Sequence, residues 1–386
     1  MLGFYGVVNV FSSSATPKTA LAAVATSWKV DASSSFVVPG HLGSFVWPST
    51  GEGAVGLEGA GVIAGSPDER IVPIASMTKM MTAITILQQY PLTLGEQGPI
   101  LTMTASDAKR WVVDSGEGDA TVQVNAGEKL SEYQLLEALL MPSGDNIAET
   151  LAIWDAGSVS AFVAKMNANA AAMGLTHTIY ADPSGVSPGS RSTASDQVIV
   201  AGALMANPVV RQIVAQSSVA FPVAGTIRTV NPALGVDGII GVKSGFTNEA
   251  MSCLTVAATD SADGKPVTLI VVSTGNKNGL VGAAHVDERL LTEEKSDLVA
   301  VQSPQIPVSS KVSTSPGVTP LTLTPVRSVR PTLIAWKGAK IDRQILVLPG
   351  ASTTTTGVVA KMNFKTSTGS LGSVRLENLP TVGNPA

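Results

Sequence analysis

The sequence predicts an α+β chain: an antiparallel sheet with covering helices and a helical subdomain, followed by a small all-β domain. Three observations predict it. Apolar segments with helix-start signals fill the middle of the chain. After Asn231 the apolar runs become β-branched and are separated by short turns. Beyond residue 318 short strand-like runs recur with turns between them. At 386 residues the chain exceeds the ~100–200 residues usual for one domain, so two or more are expected. The expected divisions are a leader or linker over 1–45, a main domain over 46–300, a Pro/Ser linker over 301–317 and a small β domain over 318–386.

Taken in order, residues 12–45 are rich in Ser, Ala and Thr with no sustained period, the mark of a mobile leader. Glycine-punctuated apolar residues over 53–64 predict a hairpin. Residues 76–90, SMTKMMTAITILQQY, are apolar on nearly every face and are followed by Pro91, which describes a buried central helix. Ser131 and Gln134 form a capping-box pattern that opens LLEALLM, and Pro142 interrupts that run. A loop then carries Ser143-Gly144-Asp145-Asn146 into a further helix, IAETLAIW. A helix over 159–173 and a Gly/Pro/Ser loop at 182–190 follow. The runs GIIGVKSGFT, SCLTVAAT and PVTLIVVST read as strands of one antiparallel sheet, and VGAAHVDERLLTEE as a helix covering one face. In the tail, LTLTPV, TLIAWKGA, ILVLPG, VVAKMNFK and VRLENL read as strands.

Composition narrows the function. Charged residues are 14% and the net charge is −4, so the basic surplus needed to bind nucleic acid is absent. The single cysteine, Cys253, excludes an intramolecular disulfide and sits in an apolar run that predicts a packed thiol. His41, His177 and His285 are far apart and lack zinc-protease spacing, so no metal and no cofactor is expected. No apolar run reaches the ~18–20 residues that span a bilayer, so no transmembrane anchor is visible. Residues 1–11 are short and without the basic flank of a secretory signal, and read as either the remnant of an export signal or a disordered leader.

Three motifs stand in order: Ser76-Met77-Thr78-Lys79, Ser143-Gly144-Asp145 and Lys243-Ser244-Gly245. Residues i and i+3 share a helix face, which brings Lys79 within reach of the Ser76 hydroxyl. At a helix N-terminus Ser76 would meet unpaired N–H groups that favour developing negative charge. A serine hydroxyl needs a base. Lys79 serves only as the neutral amine, a form favoured by burial beside a second cation such as Lys243. Ser143, from a loop between helices, is placed to relay a proton to a leaving amine. On a strand Lys243 and Gly245 share a face. Lys243 supplies charge for a substrate carboxylate, Ser244 a hydroxyl near it, and Gly245 open space. The N–H groups of Ser76 and Phe246 are candidates for an oxyanion hole.

With these residues in hand, the chain resembles the D-alanyl-D-alanine carboxypeptidase family, the low-molecular-mass penicillin-binding proteins. PIASMTKMMTA is similar to the family's P-A-S-x-T-K-x-M-T-A, and GVKSGFTNEAMSCL to its G-x-K-T-G-x-T-x-x-A-G-x-C-L. MGLTHTIYADPSGVSPGSRSTASD is similar to the family loop that carries N-P-S-G and ends in S-T-A-x-D. The resemblance covers roughly residues 46–295. It implies a β-lactamase/transpeptidase-like domain, an acyl-enzyme on Ser76, Lys79 as proton acceptor, Ser143 assisting and Lys243 binding the substrate terminus. It further implies peptidoglycan stem peptides as substrates, β-lactams as inhibitors and an extracytoplasmic location.

Two departures stand out. The family carries asparagine third in its second motif, where this sequence has Asp145 followed by Asn146. An amide donates and accepts, whereas an ionised carboxylate only accepts. Asp145 is therefore expected either to pair with Lys79 and slow acylation, or to leave its role to Asn146 turned inward. Ser244 for the commoner threonine keeps the hydroxyl. A class A-like β-lactamase is disfavoured because no E-x-x-L-N lies between Ser143 and Lys243. A DD-endopeptidase on cross-links and a silenced wall-binding homologue remain as alternatives.

Overall fold

The computed structural model describes residues 35–303, 310–312, 321–325, 331–347 and 357–378. The expectations for residues 1–34 and for most of 301–317 lie outside them. The described residues form two compact units, His41–Val299 and a smaller one made of residues 35–40 with those from Ala300 onward.

The larger unit is built on five antiparallel strands: β1 (Glu52–Leu57), β2 (Gly61–Gly65), β3 (Ile239–Thr247), β4 (Met251–Ala262) and β5 (Lys265–Asn276). Their order is β3-β4-β5-β1-β2, which leaves β3 at an edge. The hairpin at 53–64 and the three later strands thus form where the apolar β-branched runs and turns predict them. Both sheet faces are covered. A Cβ added at Gly53 would meet Leu290 of helix α8 (Gly279–Asp297), whereas one at Gly56 would meet Val198 of α6 (Ala194–Met205). Positions 53 and 56 differ by an odd number, so the two helices lie on opposite faces.

Beside α6 lies the helical group. The central helix α1 (Thr78–Gln89) is preceded by a 3₁₀ turn, Ala75–Met77, and all ten residues from Thr78 to Leu87 are buried. Around it pack α3 (Glu132–Leu140), α4 (Asp145–Ala156) and α5 (Val159–Ala172), the three helices expected in this region. Ser131 and Gln134 do form the capping box. Three helices were not anticipated: α2 (Ala105–Glu117), α6 and α7 (Pro208–Val214). Their start signals are local and legible: Thr104 with Asp107 in a capping box, Thr193 accepting from the Asp196 N–H, and Asn207 before Pro208 at the first turn. What hides α2 is its composition, since only Asp107 of its thirteen residues is buried and no long apolar stripe marks it.

The smaller unit holds a six-stranded sheet in which Lys340–Val347, Gly357–Lys365 and Ser370–Asn378 are successive antiparallel neighbours. Ile341, Ile345, Ala360, Met362, Phe364 and Leu376 form its buried side. Ser35–Val37, within the expected leader, pairs instead with Asp342 to Lys340 on this sheet. The next residues are also held: Gly43 and Val46 donate their N–H groups to the Asp297 and Glu293 carboxylates of α8. Backbone pairing and capping override the low-complexity look of this segment.

Candidate active site

Ser76 lies in the 3₁₀ turn between buried Ala75 and Met77, half-exposed where its neighbours are anchored in the core. Ala75 has φ +47°, an αL conformation that a side chain adopts only at a cost of order 1–3 kcal/mol. Two glycines make room for the turn. At Gly245, on β3, a Cβ would sit 2.7 Å from the Ser76 nitrogen and 3.0 Å from the Ala75 Cβ. At Gly185, with φ +87°, it would sit 1.9 Å from the Ala75 carbonyl oxygen. Gly245 therefore brings strand and turn together, where open space for substrate was expected.

Lys79, one turn along, is completely buried, and its ammonium has three acceptors. Nζ donates to Ser76 Oγ at 2.8 Å, to Asp145 Oδ1 at 2.5 Å and to the Ser184 carbonyl at 2.7 Å. An ammonium carries three protons, so this set is complete. Asp145 opens α4, and its own N–H is fixed on the Ala120 carbonyl at 2.7 Å. Asn146 does not turn inward: its side-chain oxygen accepts from the Val122 N–H at 3.0 Å and its amide donates to the Val122 carbonyl at 2.9 Å. That clamp uses the amide on both sides, so the expected place of Asn146 among substrate-binding residues is not met. The physical reason is helical: adjacent side chains at the first turn of α4 point about 100° apart, and only Asp145 faces Lys79.

Ser143 faces the same cleft from the loop between α3 and α4. It has φ +72°, is 4% exposed, and its hydroxyl has no partner among the described residues. That leaves the hydroxyl able to exchange a hydrogen bond with a molecule in the cleft.

On β3, Lys243 is 1% exposed and donates to the Ser244 carbonyl at 2.7 Å. Burial pushes its ammonium well below the usual lysine range, the Lys79 charge adds to this, and Asp145 opposes it. Lys243 thus sits behind the cleft wall, and the expected direct offer of charge to a substrate carboxylate is not how it rests. The Ser244 hydroxyl donates to the Val230 carbonyl at 3.2 Å, and Phe246 is exposed at the rim. Ser76, Ser143, Asp145, Ser244, Gly245 and Phe246 all line one open cleft of ≈ 290 Å³.

Sequence reasoning missed two contributors. One is the Ser184 carbonyl, presented by the 182–190 loop, for which the family-like stretch ADPSG was the available signal. The other is Asp119, which lines the cleft just after α2. Its carboxyl is raised above the ordinary range by burial and by the Asp145 and Glu117 charges, against Lys79. Cys253 is a packed thiol as expected, pushed up to about 12 by burial. No group of three or more His, Cys, Asp or Glu able to hold a metal occurs among the described residues.

Residues 56–276 match the family described as D-alanyl-D-alanine carboxypeptidase. The D-alanyl-D-alanine carboxypeptidase DacB2 of Mycobacterium tuberculosis is 36% identical over 209 residues, which are 52% of this chain and 67% of that protein. A D-alanyl-D-alanine endopeptidase of Pseudomonas aeruginosa is 33% identical over 220 residues, 54% of this chain and 65% of that protein. Among solved structures, penicillin binding protein 5 from Haemophilus influenzae matches with a TM-score of 0.62 over 89% of this chain and 98% of that one. At 17% identity that is a likeness of fold.

Proposed function

The chain belongs to the D-alanyl-D-alanine carboxypeptidase family of serine peptidases, and from that premise we propose that it removes the terminal D-alanine from peptidoglycan stem peptides, outside the cytoplasm, through an acyl-enzyme on Ser76. The observation that carries the proposal is the 2.8 Å contact between Lys79 Nζ and Ser76 Oγ at the floor of the cleft. Ser76 Oγ bonds to the carbonyl carbon of the penultimate residue, and the C–N bond to the terminal D-alanine breaks. The hydroxyl proton passes to Lys79 as the neutral amine, and from there through Ser143 to the departing amine. Water then hydrolyses the ester and returns Ser76. Negative charge on the tetrahedral oxygen is assigned to the N–H groups of Ser76 and Phe246, each donor of this kind being worth roughly 3–4 kcal/mol. Lys243 acts from behind the strand. There its Nζ donates to the Ser244 carbonyl at 2.7 Å and steadies the strand that carries Ser244 and Gly245. Ser244 and Gly245 form the wall along which the substrate lies.

β-Lactams acylate the same serine in this scheme, which supplies the test. Incubation with a labelled penicillin followed by intact-mass measurement is expected to show one adduct, absent in Ser76→Ala. No adduct on folded wild-type protein would leave the silenced homologue. Release of D-alanine from a D-Ala-D-Ala donor, set against cleavage of a cross-linked dimer, then separates carboxypeptidase from endopeptidase, the activity named for the Pseudomonas relative.

A further inference from the structure

Asp182 does not line the cleft, yet its carboxylate ties together the loop that reaches Lys79. Oδ2 accepts from the Ser184 hydroxyl at 2.7 Å and from the N–H groups of Gly185 at 2.7 Å, Val186 at 3.0 Å and Ser187 at 3.4 Å. Oδ1 accepts from the Ser190 hydroxyl, which in turn accepts from the Ala181 N–H at 3.0 Å. The loop so gathered lies along α1 and the turn before it at three points. Thr82 Oγ1 donates to the Pro183 carbonyl at 2.6 Å, Lys79 Nζ to the Ser184 carbonyl at 2.7 Å, and Gly185 packs against the Ala75 carbonyl with no room for a Cβ.

From this geometry we infer that Asp182 is a positioning residue for acylation: it holds the Ser184 carbonyl against Lys79 and thereby aims the amine at the Ser76 hydroxyl. The inference rests on Ser76 being the nucleophile and Lys79 its base. Lys79 has three donors, and their directions are set by three acceptors on three separate elements: Ser76 before α1, Asp145 on α4 and Ser184 on the loop. Of these, the Ser184 carbonyl sits on a loop whose turn is gathered by one side chain. Five hydrogen bonds converge on that side chain from groups within eight residues of it. Without them the turn that presents the carbonyl loosens, and only the Thr82 contact to Pro183 still ties its start to α1. A nucleophile–base pair misplaced by about 1 Å loses up to ~100-fold in rate. The other charged groups facing Lys79 are Asp145 from α4, Lys243 from β3 and Asp119 after α2, and a substitution at 182 leaves each in place.

The test is acylation of the full chain by a labelled penicillin, resolved into the rate at saturation and the concentration that half-saturates it. In Asp182→Ala the saturating rate is expected to fall about 10- to 100-fold, with the half-saturating concentration unchanged. Asp182→Asn keeps one carbonyl oxygen for the loop N–H groups and is expected to be intermediate. A saturating rate equal to wild type, or lowered only in proportion to the folded fraction, or a loss that lies in the half-saturating concentration, overturns the inference. If Asp182→Ala does not fold, Asp182→Asn decides by the same criterion. Absence of a Ser76 adduct in the wild type would instead remove the reading on which the inference stands.

Discussion

At the scale of single residues the site turns on a contact between two charges. The side chains of Lys79 and Asp145 are 0% and 9% exposed and lie 2.5 Å apart, so one of the three Lys79 donors is spent on a carboxylate where the family pattern carries an amide. Asp145→Asn keeps the shape and a carbonyl acceptor while removing the charge. It is expected to acylate about tenfold faster at neutral pH, the equivalent of about 1.4 kcal/mol of barrier; stopped-flow acylation by a labelled penicillin measures this, and an unchanged or slower rate counts against it. Asn146 is a separate matter. Asn146→Ala leaves the buried Val122 N–H and carbonyl unpaired and is expected to cost roughly 2–5 kcal/mol in urea denaturation, with acylation per folded molecule preserved. Ser76, Lys79, Ser143 and Asp145 were all legible as motif members. Which of Asp145 and Asn146 faces the lysine was not, because that depends on how α4 is rotated about its axis.

At the scale of elements, close approach matters more than any one side chain. The 3₁₀ turn carrying Ser76 is pressed between β3 and the 182–190 loop, and at both contacts the partner is a glycine. Gly245→Ala would place a methyl group 2.7 Å from the Ser76 nitrogen. Because β3 is an edge strand, it is expected to yield by moving away, with a fall in acylation of at least about tenfold and a small change in Tm. Acylation at the wild-type rate would show that the turn tolerates the displacement. Thr104→Ala removes one half of the α2 capping box and is expected to cost about 1 kcal/mol, measured by denaturation. The strands were legible because β-branched runs and turn residues are local properties. The α2 helix was overlooked because it buries almost nothing, so its signal lay in the caps and not in an apolar stripe.

At the scale of the whole molecule, buried carboxyl groups set a pH dependence of stability. Glu132 is fully buried, its oxygens have no partner among the described residues, and burial raises its carboxyl to about 7. Asp287 and Glu294 on α8 are raised well above the ordinary range, again chiefly by burial. A carboxyl raised in the folded state binds its proton more tightly there than in the unfolded chain. Its contribution is complete below the unfolded value near 4.5 and is lost as pH climbs through the folded one. Tm is therefore expected to fall between pH 4.5 and 7 on account of Glu132, and Glu132→Gln to flatten that slope in a calorimetric series; a slope unchanged by the substitution would assign it elsewhere. The α+β class, the placement of the Lys243 motif in a β-branched run, and the serine-lysine pair one turn apart are determined by the sequence alone, since periodicity, capping and i to i+3 spacing act over a few residues. Only the tertiary structure decides that Lys243 lies behind the cleft wall, that Gly245 serves close approach, that Asp145 pairs with Lys79 and that Ser184 completes its shell. The physical reason is common to all four: each depends on contacts between residues far apart in the chain, where burial and charge act through space and no local pattern records them.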